Sequence, residues 1–322
     1  MNKFLKVGMI IIGIIIILLL VLIIVSIINH KLKLKKEDNL FKTNGKLVEV
    51  NNHNINVYIS GNSNSDITLV FMSGWGTCSP TLDFKTLYTL FEDDYQIAVV
   101  EKAGYGFSDI SDIDRDIDTI LYETRESLNK AGVDNKKFIL FPHSMSGIEA
   151  LYWANEYPNE IQGIIGLDPA VPKSYENMKI SNAMLSLAKI GADIGITRFM
   201  PSIIDNSSAI KDGNLTDEEK ELYKVIFYRR TATSSMLNET KSIKENAKKL
   251  ESIDNTDVPM LFFASNGEGT GYKQEDWRKF IIDYINSKQN GEYKILDCSH
   301  YVHNIEYQKI YDESIKFIEK IQ

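Results

Sequence analysis

The chain has 322 residues, of which 43% are hydrophobic, so it is long enough for one large domain or for one domain with a lid. Its 36 basic and 44 acidic residues give a net charge of −8, which argues against a nucleic-acid-binding protein. Nineteen glycines and seven prolines, without an internal repeat, exclude the collagen-like and disordered classes.

The first predicted element is a membrane-spanning helix. Val7 to Ile28 form a run of 22 residues without a charge. At about 1.5 Å per residue this run crosses a hydrocarbon core of about 30 Å. A cleaved signal peptide is the alternative, but its apolar core has about 7–15 residues and no small-x-small cleavage site follows this run. We therefore predict a retained single-pass anchor in residues 1–36, which contacts anionic headgroups through its last lysines.

The orientation of this anchor is predicted from its flanks. Lys3 and Lys6 precede the span and four lysines follow it, a small bias that favours a cytoplasmic C-terminal side. A short tail before a single span favours the opposite, and we expect an extracytoplasmic catalytic domain. The first 36 residues hold six lysines and no acid, so the remainder carries −14, which argues for a soluble domain.

After the predicted anchor, strand and helix patterns alternate along the chain. Short apolar runs predict strands over 47–50, 55–59, 68–72, 96–101, 137–141, 163–167, 260–264 and 293–296. Helical spacing lies between them, over 82–91, 113–131, 147–157, 277–285 and 310–321. This alternation predicts an α/β fold whose mostly parallel, eight-stranded sheet has helices on both faces.

The alternation breaks in residues 172–256. This stretch has helical patterns, for example over 217–230 and 236–250, and no strand signal. We therefore predict a core formed by 37–171 and 257–322, interrupted by a helical insertion after the sixth strand.

One serine lies at the tip of a predicted strand–turn–helix unit. The apolar run 137–141 leads into Pro142-His143-Ser144-Met145-Ser146-Gly147, and a helical pattern follows. This is the setting of a nucleophile elbow, which usually reads G-x-S-x-G. Pro142 and Ser146 stand where that pattern has its outer glycines, so Pro142 is a departure. The alternative is a loop in which Ser144 only caps the helix.

Further motifs give the chain a family resemblance. Ser73–Gly76 follows the third predicted strand, Gly104–Ser108 follows the fourth, and Cys298–His303 follows the eighth. In this order they resemble the loop motifs of α/β-hydrolases, from about Leu47 to the C-terminus. The resemblance implies that the helical insertion is a lid and that Ser144 is a catalytic nucleophile.

A serine nucleophile needs a general base, and the resemblance assigns His300. His300 directly follows the eighth predicted strand, at the family's position for this residue. His303 is the second candidate, although a structural role suits it better. The other three histidines are at the membrane, in a hairpin turn and beside the nucleophile with its side chain turned away: His30, His53 and His143.

The third member of the predicted triad has two candidates. Asp168 ends the sixth strand, and Glu268 occupies the position of the family's usual acid after the seventh strand. Both satisfy the chain order serine, acid, histidine. Asp168 is slightly preferred, because the glycines beside Glu268 would hold it poorly.

The resemblance also implies an oxyanion hole made by the backbone N–H groups of Met145 and Trp75. Gly74 would let this loop approach the substrate closely. Tyr105 and Phe107 are predicted to line the pocket, with core positions as the alternative. No metal or organic cofactor is expected.

Three functions fit these predictions. The first is a membrane-anchored serine hydrolase that cleaves an ester, thioester or amide of a small or lipid-like substrate, with esters preferred. The second is an aminopeptidase similar to proline iminopeptidases, which would need an acidic residue for the substrate amine, such as Glu149, Asp193 or Glu221. The third is a non-catalytic binding protein of the same fold, which Pro142 leaves open.

The sequence contains only two cysteines. Cys78 and Cys298 are expected to be separate thiols rather than a disulfide, and their spacing does not indicate a zinc site. The oligomeric state stays open.

Overall fold

Eight strands form one sheet in the part of the chain that the computed structural model describes, residues 3–133 and 137–322. They are β1 (Lys46–Val50), β2 (His53–Gly61), β3 (Ile67–Met72), β4 (Gln96–Glu101), β5 (Lys137–Ser144), β6 (Ile161–Pro169), β7 (Met260–Ala264) and β8 (Gly291–Ile295). Their order is β1-β2-β4-β3-β5-β6-β7-β8. The β1–β2 and β2–β4 pairs are antiparallel and the others parallel. The predicted α/β fold with a mostly parallel sheet is therefore confirmed.

The helices precede, connect and follow these strands. They are α1 (Lys3–Glu37), α2 (Pro80–Asp83), α3 (Lys85–Tyr88), α4 (Ile117–Lys130), α5 (Ser146–Glu156), α6 (Pro172–Tyr175), α7 (Asn182–Asp193), α8 (Pro201–Asp205), α9 (Ser208–Lys211), α10 (Asp217–Arg230), α11 (Ser234–Ile253), α12 (Gln274–Asn286), α13 (Val302–Ile305) and α14 (Tyr307–Ile321). Short 3₁₀ turns lie at Pro158–Glu160 and Ile196–Phe199.

Alternation along the strands divides the core into two layers. In β3, Leu69 and Phe71 pack toward α3 and α14, whereas Val70 and Met72 pack toward α4, α5 and α12. Successive side chains of a strand point to opposite faces, so a strand covered on both sides must be apolar throughout. The sheet is thus buried on both faces, as the unbroken apolar runs predicted.

Local chemistry sets several element boundaries. β1 and β2 are joined by Asn51 and Asn52, which both have positive φ angles and so form a two-residue hairpin turn. α4 begins at Ile117 rather than 113, because Asp116 caps it by accepting a hydrogen bond from the Thr119 N–H. The helix predicted over 82–91 is two short helices, since Phe84 (φ −86°, ψ −6°) leaves the regular α conformation.

The insertion between β6 and β7 is helical. Residues 172–256 contain α6 to α11 and no strand. The long helix α11 packs on the core through Ile243, Ala247 and Leu250. The place of this segment, above the carboxyl ends of the parallel strands, is where a lid was predicted, and its action as a lid remains a prediction.

α1 is long and apolar enough to cross a membrane, by length and composition. Most of its side chains are exposed, as they would be in contact with lipid. Ser26 and His30 are the buried ones among its described residues, and both face the helical insertion. The first two residues of the predicted anchor lie outside the described residues.

Candidate active site

Ser144 stands at a strained turn between β5 and α5. Its φ angle is +56°, in the left-handed region that costs a non-glycine residue of the order of 1–3 kcal/mol. The turn is held from the next strand, because the Ala170 N–H donates to the Ser144 carbonyl at 2.8 Å. Neither the Ser144 hydroxyl nor the Nε2 atom of His300 has a hydrogen-bond partner in the described ranges, so both stay available to a ligand.

Small residues allow the chain to crowd around this turn. A Cβ on Gly74 would lie 2.6 Å from the Cβ of Ser144, and one on Gly147 would lie 2.2 Å from the Ala170 carbonyl oxygen. Ser146 replaces the usual glycine, and its hydroxyl donates to the Met72 carbonyl at 2.6 Å, with the His143 carbonyl also within 2.9 Å. The turn therefore keeps the crowded geometry of a nucleophile elbow despite its different sequence.

The structure pairs His300 with Asp168. The Nδ1 atom of His300 lies 2.5 Å from Oδ2 of Asp168, and both residues are buried. An ionised carboxylate only accepts hydrogen bonds, so this contact places the imidazole proton on Nδ1 and leaves Nε2 as the basic nitrogen. The geometry thus provides an oriented base at the carboxyl end of the sheet.

Asp168 is itself held firmly. Its carboxylate accepts hydrogen bonds from the Ser265 N–H and hydroxyl, both at 2.7 Å, and from the Trp277 indole at 2.8 Å. Sequence reasoning missed Ser265 and Trp277. The available signal was that Ser265 directly follows β7, the neighbour of β6, and therefore meets the end of β6 at the same sheet edge.

Glu268 does not take the position of the acid. Its side chain is exposed and makes no hydrogen bond or ion pair within the described residues, while its carbonyl accepts the His300 N–H at 2.9 Å. Gly267 (φ +82°) and Gly269 (φ +95°) form the turn that directs this side chain to solvent. Between the two acids weighed from sequence, only Asp168 contacts the imidazole.

The remaining histidines have structural partners. His303 is buried 2.9 Å from the Asp83 carboxylate, so it is turned away from the base position that it was considered for. Nε2 of His143 lies 3.1 Å from the His300 carbonyl oxygen. Burial, aided by the nearby His300 and His303, holds the pKa of His143 well below its usual value, so His143 is neutral and donates this bond.

Ser144 and His300 line the same cavity, of about 420 Å³. The lining is aromatic, small or polar and includes Trp75, Gly76, His143, Met145, Ser174, Tyr175, Met178, Gly269, Thr270, Tyr272, Trp277 and Tyr301. No Asp, Glu, Lys or Arg side chain belongs to this lining in the part of the chain that the structure describes. The cavity thus suits a neutral, largely apolar group beside the hydroxyl.

Two predicted pocket residues lie elsewhere, which corrects that prediction. Tyr105 is fully buried and donates its hydroxyl proton to Glu239 at 2.6 Å. Phe107 packs against Phe41, with 4.9 Å between the ring centroids. The loop after β4 turns both aromatic side chains into the protein, because Glu101 holds it through the Phe107 N–H at 2.7 Å.

The two predicted oxyanion-hole residues flank Ser144. Met145 precedes the first turn of α5, where backbone N–H groups lack helical partners. Trp75 follows Gly74, which touches Ser144, and its indole donates to the Met236 carbonyl at 3.0 Å. Both residues line the cavity, and the role of their N–H groups as donors to an oxyanion stays a prediction.

The two cysteines are free and buried. Cys78 packs in the cluster under α10, and Cys298 packs on the α14 side of the sheet. The expectation of separate thiols is therefore confirmed.

Comparisons with known proteins agree with this architecture. The sequence profile of the family described as serine aminopeptidase, S33, matches residues 63–300. The uncharacterised protein YbdG of Bacillus subtilis is 35% identical over 305 residues, which cover 92% of each chain. Epoxide hydrolase 1 of Caenorhabditis elegans is 24% identical over 299 residues, covering 82% of this chain and 68% of that one. A thermophilic esterase from Thermogutta terrifontis superposes with a TM-score of 0.61 at 12% identity, covering 86% of this chain and 97% of the esterase.

Proposed function

The chain belongs to the serine aminopeptidase S33 family of α/β-hydrolases, and on this premise we propose that it is a membrane-anchored serine hydrolase that forms an acyl-enzyme at Ser144. One observation carries the proposal. The imidazole of His300 is bonded to Asp168 at 2.5 Å and shares a cavity with a strained serine whose hydroxyl has no hydrogen-bond partner among the described residues. A serine becomes nucleophilic when such an oriented base takes its proton.

The proposed reaction has two steps. In the first, Oγ of Ser144 attacks the substrate carbonyl carbon and passes its proton to Nε2 of His300, which then protonates the leaving alcohol or amine. In the second, His300 takes a proton from the water that attacks the acyl carbon, and it returns this proton to Oγ of Ser144 as the acyl–oxygen bond breaks and the acid leaves. Asp168 stabilises the imidazolium formed in both steps. The N–H groups of Met145 and Trp75 would bind the oxyanion, each contributing about 3–4 kcal/mol to the transition state.

The absence of acidic side chains from the cavity lining favours an ester over a free amino terminus. The three acids considered for binding an amine lie elsewhere. Glu149 is buried and accepts from the Thr124 hydroxyl at 2.6 Å, while Asp193 and Glu221 have 59% and 66% of their side chains exposed. A substrate ammonium would therefore find no counter-ion among the described lining residues.

A substrate screen with the full chain in detergent tests this function. We expect hydrolysis of p-nitrophenyl acyl esters and little or no hydrolysis of aminoacyl arylamides. Ser144→Ala and His300→Ala should abolish the ester activity. Faster cleavage of the arylamides would favour the aminopeptidase, and wild-type inactivity on both classes would favour the binding protein.

We also propose that α1 is retained as an anchor and that the globular domain lies outside the cytoplasm. Retention is supported by bonds between α1 and the rest of the protein, such as the two 2.8 Å bonds from Arg198 to Glu37. A leader that is removed would make no lasting contacts. Protease treatment of intact cells should cleave the globular domain if it faces outward and spare it if it faces inward.

A further inference from the structure

The C-terminal part of α1 is bonded to the helical insertion. The Ser26 hydroxyl donates to the Ile194 carbonyl at 2.6 Å, and Nε of Arg198 donates to Nδ1 of His30 at 2.8 Å. A Cβ on Gly195 would lie 2.4 Å from the Cβ of His30, so the two backbones are in close contact. Together with the Arg198–Glu37 pair, these contacts fix the insertion at one level along α1.

This level is the end of the apolar span. Ser26 lies two residues before the end of the uncharged run, Ile28, which is about 3 Å along the helix axis. Ile194 therefore lies beside the last turn of the span. If α1 crosses a bilayer, the segment around Ile194 is held at the boundary between acyl chains and headgroups.

This segment exposes a set of large apolar side chains, which we name the lid-tip face. It comprises Met184, Leu187, Ile190, Ile196, Phe199, Met200 and Ile203. Met184 is 71% exposed and Leu187 67%. The charged residues of α7 are Lys189 and Asp193, which pair with each other at 2.9 Å. The 3₁₀ turn at Ile196–Phe199 contacts both α7 and α8, so these exposed apolar side chains lie on neighbouring elements, and a group of this kind marks an interaction site.

Basic residues follow the lid-tip face on the side away from the span. Lys31, Lys33, Lys35 and Lys36 continue α1. Arg229 of the insertion reaches the same level, donating to the Leu34 carbonyl at 2.5 Å. An apolar face bordered by cations is the composition of a surface that lies in a membrane interface with anionic lipids. This order of charges identifies a lipid surface, rather than another protein, as the occupant.

The lid-tip face is also connected to the cavity. Tyr175 and Met178 line the cavity beside Ser144, and α7 begins only four residues after Met178, at Asn182. The start of the lid-tip face is thus close along the chain to residues that line the cavity, so an acyl chain held at this face would have only a short distance to cross.

We propose that the lid-tip face is embedded in the membrane that α1 spans and that the Ser144 cavity takes ester substrates with long acyl chains from that bilayer. The membrane contact stands on the α1 contacts and the exposed face. The substrate class rests on the proposed function.

The contact is tested with the full chain in nanodiscs of phosphatidylcholine and phosphatidylglycerol. An environment-sensitive fluorophore is attached to the introduced thiol of Leu187→Cys. The control carries the same fluorophore at Lys316→Cys on α14. The native cysteines are buried, and burial raises the pKa of Cys298 to about 12, so at neutral pH the introduced thiol reacts selectively. We expect emission at position 187 to shift to the blue and to be quenched by spin labels on the acyl chains. Emission typical of water at both positions would overturn the proposal.

The substrate class is tested with Met184→Glu/Leu187→Glu against a conservative Met184→Leu/Leu187→Met variant. Charges at the acyl boundary oppose insertion, so hydrolysis of a long-chain ester in the nanodisc should fall about tenfold or more in the charged variant. Hydrolysis of a water-soluble short-chain ester should be unchanged in both. Equal rates of all proteins on the nanodisc ester would overturn the substrate class. Wild-type inactivity on both esters, with position 187 buried in lipid, would refute the proposed function and leave the membrane contact standing.

Discussion

At the residue scale, the site depends on how Asp168 holds His300. The carboxylate accepts four hydrogen bonds, from His300, Trp277 and the N–H and hydroxyl of Ser265. Its backbone has a φ of +54°, a conformation that Asp and Asn adopt more readily than other side chains. This backbone conformation at the end of β6 directs the Asp168 carboxylate toward His300, which follows β8, two strands away in the sheet.

Asp168→Asn should lower kcat by about 10³–10⁴-fold with little change in fold. Asn keeps the shape and tolerates the backbone, but it removes the charge and no longer fixes the Nδ1–H tautomer of His300. The measurement is steady-state kinetics on the best ester, with circular dichroism as the check on folding. Glu268→Gln is the matched control and should stay close to wild type. A large loss in Glu268→Gln and none in Asp168→Asn would reverse the assignment.

The sequence was informative about Ser144 and His300 because each lies directly after a buried strand in a recognisable loop. It gave only a slight preference for Asp168 over Glu268, since the choice depends on partners more than 90 residues away along the chain, such as Ser265 and Trp277. Tyr105 and Phe107 were wrongly assigned to the pocket. The direction of a loop side chain is set by tertiary contacts that the sequence does not show, here with Glu239 and Phe41.

At the element scale, α11 is attached to the core by buried charge. Glu239 of α11 forms an ion pair with Lys102 and accepts the Tyr105 hydroxyl, and all three residues are buried. Lys102 also lies 3.9 Å from Glu149 of α5. Removing one member of such a pair leaves a charge with little access to water, which costs more than the pair contributed.

Glu239→Ala should lower the free energy of unfolding by about 3 kcal/mol, at the low end of the range for buried pairs, because Glu149 still compensates Lys102 in part. Denaturant unfolding of the full chain in detergent gives this value. The double variant Lys102→Met/Glu239→Leu should regain most of the loss, since it removes both charges. A double variant as unstable as Glu239→Ala would contradict the account.

Strands were the elements best predicted from sequence, because a parallel strand buried on both faces is a short unbroken apolar run. The single helix predicted over 82–91 was wrong, because its interruption at Phe84 arises from packing. Phe84 is fully buried against Phe71, with 5.5 Å between the ring centroids. The contacts of α1 with the insertion had no sequence signal, because Arg198 and Glu37 are 161 positions apart.

At the scale of the whole molecule, stability should fall in acid because of His143. The pKa of this buried imidazole lies well below its ordinary value of 6.5, so between the two pKa values the unfolded chain binds more protons than the folded one. Stability contributed by the neutral ring is therefore complete above about pH 6.5 and is lost as the pH falls, by at most about 1.4 kcal/mol per pH unit.

His143→Gln should reduce this acid dependence, since Gln can donate to the His300 carbonyl but does not titrate in this range. The test compares unfolding free energies of wild type and variant at pH 7 and pH 5.5. We expect the difference between the two pH values to be smaller in His143→Gln. Identical pH dependence in both proteins would show that another group is responsible.

The central claim is that Ser144 is a nucleophile activated by His300, and covalent labelling with a fluorophosphonate tests it most directly. The full chain is treated with the reagent, digested and mapped by mass spectrometry, beside Ser144→Ala and His300→Ala. We predict one adduct, on Ser144, which is absent from Ser144→Ala and forms far more slowly in His300→Ala. A wild-type protein that stays unmodified, or that is modified on a different residue, would contradict it.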